Sequence, residues 1–160
     1  EAADLRKTYD ADALEELLAE LQQQGRLTEE EKAAIRCKEL LAFFASDLAK
    51  RIQKADEIHK EQPFAMLVEP KEVFLDDIYR NMEEFIQING IIDCYFVEEN
   101  AVVLVDYKSD RLWQEDAFRE KYKIQLRLYK EALERVTDLP VKACYIYAFA
   151  PGKTIPIDFD

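Results

Sequence analysis

The sequence predicts an α/β fold, because three helix-patterned segments come first, strand-patterned runs follow, and one long helix interrupts the strands. At 160 residues, 49% hydrophobic and with only three glycines, the chain can bury one core and is expected to form one domain. Residues 1–56 are read as a helical layer and 57–160 as the core.

Each element has its own signal. Asp10 caps a segment whose Leu14, Leu17, Leu18 and Leu21 share one helical face, and Gly25 ends it. Thr28 and Glu31 form a capping-box signature that opens a second helix, expected to run to about Phe44. Ser46 caps a third, reaching about Ala55. Pro63 then changes the period, and the short apolar run Phe64 to Val68, closed by Pro70, predicts a strand. Glu69 to about Glu84 is charged and irregular, as expected of a surface loop with a helical turn. Phe85 to Val97 and Ala101 to Tyr107 are β-rich runs separated by Glu98, Glu99 and Asn100, which is the pattern of a hairpin. Glu115 to Val136 predicts a long helix, and Val141 to Phe149 a last strand.

Composition narrows the function classes. No apolar run approaches the roughly 20 residues of a bilayer span, and the amino end lacks the layout of a secretory signal, so a cytoplasmic protein without a membrane role is expected. Cys37, Cys94 and Cys144 are odd in number and lie at least fifty residues apart, which argues for reduced, packed thiols rather than disulfides or a CxxC site. With His59 the single histidine, any metal is expected on oxygen ligands. The net charge of −12 argues against a free-standing DNA binder. Between Asp106 and Lys130, however, seven Lys/Arg face five acids, a local +2 that reads either as a contact for nucleic acid or as a solvated helix face.

The hairpin carries the chemistry. A turn centred between Glu99 and Asn100 sets Asp93 across from Asp106, with Lys108 on the same side. That face reads Ile91, Asp93, Tyr95 and Val97 against Val102, Leu104, Asp106 and Lys108. Two carboxylates in an apolar setting resist ionisation unless a cation joins them, and a hard divalent ion such as Mg²⁺, with Mn²⁺ as a substitute, suits them. Lys108 can then orient a water or offset charge on a phosphate. Acid-x-Lys also occurs at Glu30 to Lys32 and Glu69 to Lys71, so the residues by themselves leave a plain Lys108–aspartate salt bridge open. On the following helix Phe118, Tyr122, Tyr129, Leu133 and Val136 form a stripe that includes Gln125. Gln125 and Tyr129 either reach back toward the carboxylates or are an edge glutamine and a core tyrosine.

Several stretches match a known family. Ile91-Ile92-Asp93, Leu104-Val105-Asp106-Tyr107-Lys108-Ser109-Asp110-Arg111, and Tyr122 with Gln125-Leu126-Arg127-Leu128-Tyr129 closely resemble the RecB-type nuclease domain of the PD-(D/E)XK superfamily. Glu61-Gln62-Pro63-Phe64 resembles the segment opening its first core strand. The resemblance covers nearly the whole chain and implies a restriction-endonuclease-like mixed central sheet flanked by helices. It further implies Mg²⁺-dependent exonucleolytic hydrolysis of DNA unwound by an attached ATP-driven helicase, AddB as a partner, and a chain that is a fragment of a longer helicase-nuclease. Carried over by position, Asp93, Asp106 and the Tyr107 main-chain carbonyl resemble metal ligands, and Lys108 resembles the catalytic lysine. Gln125 and Tyr129 match the Gln-x-x-x-Tyr element, and Arg111 is expected beside DNA. Ser109 stands where Thr is usual. The family also has a metal-binding histidine upstream of the first strand, a role not assigned to His59. No GxxxxGK[ST] phosphate loop occurs in the chain. The reading from a different class is a catalytically silent domain that docks a partner protein.

Overall fold

The computed structural model describes residues 2–73, 84–111 and 114–159. Its order is α1 (Ala11–Gln23), α2 (Glu29–Ala34), α3 (Cys37–Ala45), α4 (Asp47–Lys54), β1 (Glu57–Val68), α5 (Pro70–Val73), β2 (Ile86–Glu98), β3 (Ala101–Lys108), α6 (Glu115–Thr137), β4 (Val141–Ala148) and β5 (Lys153–Pro156). The five strands lie in one sheet in sequence order. β3 and β4 are parallel and joined through α6, whereas the other neighbours are antiparallel, so the sheet is mixed.

Caps set the helix starts. The Asp10 carboxylate accepts from Ala13 N at 2.8 Å, and Thr28 and Glu31 close a full capping box ahead of α2. The helix expected to run from Thr28 to Phe44 is two helices. α2 buries no residue, so packing does not hold it in line, and the chain extends at Ile35 (ψ 129°) before α3 restarts and buries Phe43 and Phe44. Ser46 caps α4 as expected, accepting from Ala49 N at 3.1 Å.

β1 is longer than its sequence pattern suggests, beginning at Glu57 rather than Phe64. Pro63 does not stop it because β1 is an edge strand, where a missing N–H need leave no neighbour unpaired. His59, expected just outside the strand, lies within it, stacked on Tyr95 with ring centroids 4.4 Å apart. β5 was not anticipated; with four residues and one buried side chain, Ile155, it is too short for an alternation to show. Much of the charged stretch 69–84 lies outside the described residues, which include the short α5.

Two cores sandwich the sheet. Tyr95, Val97, Val102, Leu104 and Ile146 pack toward α6 through Phe118, Leu126 and Leu133. Phe96, Val103, Val105 and Tyr147 pack the other way, against Phe43, Leu48 and Ile52 of α3 and α4. Each fully buried large apolar side chain stabilises this arrangement by about 1.5–3 kcal/mol relative to exposure. Val136, placed by periodicity on the buried stripe, is 71% exposed because it lies in the last turn of α6, just before Asp138 turns the chain in the left-handed region. Ile91 is exposed too, and Ile92 packs with the α6 core instead. Of the thiols, Cys94 and Cys144 are packed, but Cys37 is exposed in the first turn of α3. No helix among the described residues is long and apolar enough to cross a membrane.

Candidate active site

The β2–β3 hairpin turns at Glu99 and Asn100, both at positive φ (54° and 58°), as a two-residue turn of the primed type requires. Its register is the expected one, from Glu98↔Ala101 to Cys94↔Val105. There the ladder ends. β2 continues alongside β1 as far as Val68↔Ile86, while β3 continues along β4, so the two strands part at Asp93. Tyr107 N donates to the Asp93 carboxylate (Oδ2, 2.9 Å), so a side chain supplies the acceptor where β2 leaves. The Asp93 carboxylate therefore lies at the peptide that follows Asp106, although the two residues are not a ladder pair.

Asp106 is the single buried charged or polar residue among those described, 1% exposed at the end of the apolar run 102–105. Burial raises its carboxyl above the ordinary carboxylate range; Lys108 opposes that shift and the Asp93 charge adds to it. Lys108 Nζ stands 2.7 Å from Asp106 Oδ2, close enough for an ion pair, yet no donor meets that oxygen with hydrogen-bond geometry. The ammonium is nonetheless the group that holds the carboxyl down against burial, and the contact is poorly aligned for a hydrogen bond.

Three groups from α6 complete the surroundings of Lys108. Its Nζ donates to Gln125 Oε1 at 3.2 Å and lies 4.4 Å from the centre of the Tyr122 ring. Gln125 Nε2 in turn donates to the Tyr129 hydroxyl at 2.8 Å. Burial raises the Tyr129 phenol, with the Gln125 bond opposing. Asp106, Lys108, Gln125 and Tyr129 thus form one chain of contacts on the α6 side. Asp93 is near enough for its charge to raise the Asp106 carboxyl, but it also lines, with Tyr107, a cavity on the α1 and α3 side. Arg111 is exposed at a bend, because the chain leaves the sheet after Lys108.

Sequence reasoning passed over some neighbours. Glu61 falls between the pairs Lys60↔Cys94 and Gln62↔Ile92, opposite Asp93, and adopts φ 52°. Together with Asp93, Lys60 and Tyr107 it lines a cavity of about 600 Å³ that side chains of α1 and α3 also line. An earlier start for β1 would have revealed it. Tyr122 sits on the same helical stripe as Gln125 and Tyr129, which was the available signal for its contact with Lys108.

The donor set can be tested against a metal. Among the described residues no group of three or more His, Cys, Asp or Glu side chains is placed to hold one. What is present is two carboxylates, buried Asp106 and Asp93, the second held by Tyr107 N. That set fits Mg²⁺, which binds through one or two carboxylates and keeps several waters, and the Asp106 oxygen lacking a directional partner is the observation that favours a cation there.

A hairpin that parts around two acids and a lysine, inside a mixed sheet with one parallel helical crossover, defines a nuclease of the PD-(D/E)XK class. Residues 2–155 match the PD-(D/E)XK nuclease superfamily, and the chain belongs to it. Among individual proteins it is similar to the A subunit of the ATP-dependent helicase/nuclease of Clostridium novyi (strain NT), at 40% identity over 136 residues, 82% of this chain and 11% of that protein. The corresponding protein of Thermoanaerobacter sp. (strain X514) is 34% identical over 154 residues, 95% of this chain and 12% of that protein. That of Clostridium botulinum (strain Okra / Type B1) is 35% identical over 158 residues, 97% of this chain and 12% of that protein. The chain thus spans 11–12% of the length of these curated relatives.

Proposed function

We propose that this chain is a single nuclease domain, of the AddA kind, that hydrolyses DNA phosphodiester bonds exonucleolytically with Mg²⁺, Mn²⁺ serving as a substitute. Its setting is a cytoplasmic helicase-nuclease acting in double-strand-break repair and recombination, with a helicase portion that binds ATP and with AddB as its partner. The observation that carries the reading is Asp106, a carboxylate buried at 1% exposure where its charge is costly, beside a second acid and a lysine.

In this reading Asp93, Asp106 and the Tyr107 carbonyl hold the ion. When bound, Mg²⁺ lowers the pKa of a water and polarises a phosphoryl oxygen. Lys108, beside Asp106, would orient the attacking water or offset charge gathering on the phosphate. Gln125 and Tyr129 hold Lys108 in place, and exposed Arg111 is free to meet a DNA phosphate. The net charge of −12 leaves most of the DNA affinity to the rest of the parent protein.

The test is degradation of linear DNA by the purified chain with Mg²⁺. Lys108→Ala should lower the rate about a hundredfold or more, in the range for a lost electrostatic or acid–base contribution. Unchanged degradation by that variant, or degradation without divalent ion, would overturn the reading. One observation favours a second reading, a silent docking domain of the same complex: the 2.7 Å Lys108–Asp106 pair is also what a structural ion pair looks like. Calorimetry separates the two, since a metal site gives Mg²⁺ heat that disappears in Asp93→Asn and a structural pair gives none.

A further inference from the structure

We propose that Phe64 and Gly90 are positioning residues for Lys108, acting through Tyr129 and Gln125; the proposal rests on the catalytic reading of Lys108 above. A lysine ammonium ends a flexible four-carbon stem with three rotatable donors, so its direction is set by whatever accepts from it. Here the directional acceptor is Gln125 Oε1, at 3.2 Å. A glutamine amide has two nearly isosteric ends, and only one of them can accept. The ammonium, a donor only, selects Oε1, since the flipped amide would set its own N–H groups against it, and the Tyr129 hydroxyl, accepting from Nε2 at 2.8 Å, fixes where that amide sits.

The hydroxyl is only as well placed as its ring. Phe64 meets the Tyr129 ring edge-on, with centroids 5.3 Å apart and planes at 76°. Phe64 comes from edge strand β1, and its cross-strand partner is Gly90 of β2. A Cβ at position 90 would lie 2.5 Å from Phe64 Cε1 and 2.9 Å from Cζ, so the ring occupies space that any other residue at position 90 would fill. Backbone conformation does not call for glycine at this position, because the positive-φ glycines are Gly25 and Gly152. Close approach does. A side chain at 90 forces Phe64 to swing, and the contact it makes with Tyr129 is the first to change.

The arrangement links the ribbon that β2 forms with β1 to the ammonium beside Asp106. It also forms one wall of a cleft of about 350 Å³ between that ribbon and α6, which Phe64, Gly90, Gln125 and Tyr129 all line. A purely space-filling Phe64 would stabilise the fold without affecting Lys108, so the experiment must read the lysine itself.

The chain labelled with ¹⁵N-lysine is compared with Phe64→Leu, Gly90→Ala and Tyr129→Phe, the Lys108 ammonium signal being assigned by its loss in Lys108→Arg. Ammonium proton exchange at Lys108 is expected to speed several-fold in all three, with no further gain when Phe64→Leu and Tyr129→Phe are combined. On linear DNA with Mg²⁺, kcat is expected to fall about tenfold with KM within about twofold, as for a misplaced reacting group. Unchanged Lys108 exchange in a folded Phe64→Leu or Gly90→Ala chain, judged by its amide spectrum, overturns the proposal. If Phe64→Leu does not fold, Phe64→Met replaces it. Undiminished cleavage by Lys108→Ala would defeat the catalytic reading instead, and the exchange measurement would still report the positioning by itself.

Discussion

The two ends of the β2–β3 hairpin are made by the same pair of strands and differ in nearly everything else. At the closed end, Cys94 to Glu98 ladder with Ala101 to Val105, and Tyr95, Phe96, Val97, Val102, Val103 and Leu104 are buried in the two cores. At the open end the ladder stops, a carboxylate takes the place of a backbone acceptor, and Asp106, Lys108 and Gln125 approach one another. A fully paired sheet satisfies its main chain and leaves no reason to bury a polar side chain. Where strands part, a main-chain donor must find something else, and an acid placed there holds the opening in shape. On the proposed reading the closed end carries stability and the open end carries chemistry, which different measurements can separate.

The largest effect belongs to the closed end. Phe96 is fully buried between the sheet and α4, with the Arg51 guanidinium over its ring. Phe96→Ala should cost about 3–5 kcal/mol. That would appear as a lower urea midpoint with an unchanged slope, while the folded fraction should keep the Mg²⁺ heat expected of the proposed site. Loss of that heat in the folded protein would show that the two ends are coupled rather than separate.

A smaller effect, of opposite kind, belongs to the open end. Burial holds the Asp106 carboxyl above the ordinary range, so as pH rises through the normal carboxylate value the unfolded chain loses this proton while the native chain keeps it. The native state then binds more protons, and this residue's contribution to stability falls with rising pH until the native carboxyl also ionises. Glu98, Asp110 and Glu134 have lowered values and tilt the total in the other sense, so the quantity to measure is a difference. Urea titrations of the parent chain and Asp106→Asn across the acid range should show the parent losing ground to the variant as pH rises, and Mg²⁺ should recover it in the parent alone. A constant gap between the two would mean that burial of this charge costs nothing.

Much of the closed end was legible in the sequence, and less of the open end. Glu99-Asn100 between two β-rich runs fixes the turn, and the turn fixes the register, so the buried residues near it follow by alternation. What alternation does not encode is where a ladder ends. Ile91 was placed on the inner face by counting in twos from the turn, but β2 leaves β3 at Asp93, and the count no longer assigns Ile91 and Ile92 to the expected sides. The early start of β1 was hidden for a related reason. Pro63 reads as a breaker only if the strand is interior, and edge position is a property of the whole sheet. Lys108 was legible from the hairpin register and Gln125 and Tyr129 from the helical stripe, with the family resemblance adding their roles, whereas the contact of Phe64 over Gly90 depends on a cross-strand pairing no local pattern reveals.

The smallest expected effect tests whether the turn is what sets the opening. Glu99 sits at φ 54° in a position that favours Asn, Asp or Gly, and a glutamate there bears a left-handed backbone without the local hydrogen bond a shorter side chain can make. Its carboxylate pairs with Lys142 at 2.8 Å but is 87% exposed, a pairing worth little. Lys142 also keeps Glu98 at 3.1 Å, so removing Glu99 does not strand it. Glu99→Asn should therefore stabilise the chain by about 0.5 kcal/mol, the scale of relieving one strained turn residue, seen as a small rise in urea midpoint. Because the register is unchanged, Asp93 should still meet Tyr107 N, and Mg²⁺ binding and DNA degradation should match the parent. A stabilised variant with altered Mg²⁺ heat would mean that the turn tunes how far the strands part, and the two ends would then have to be treated as one device.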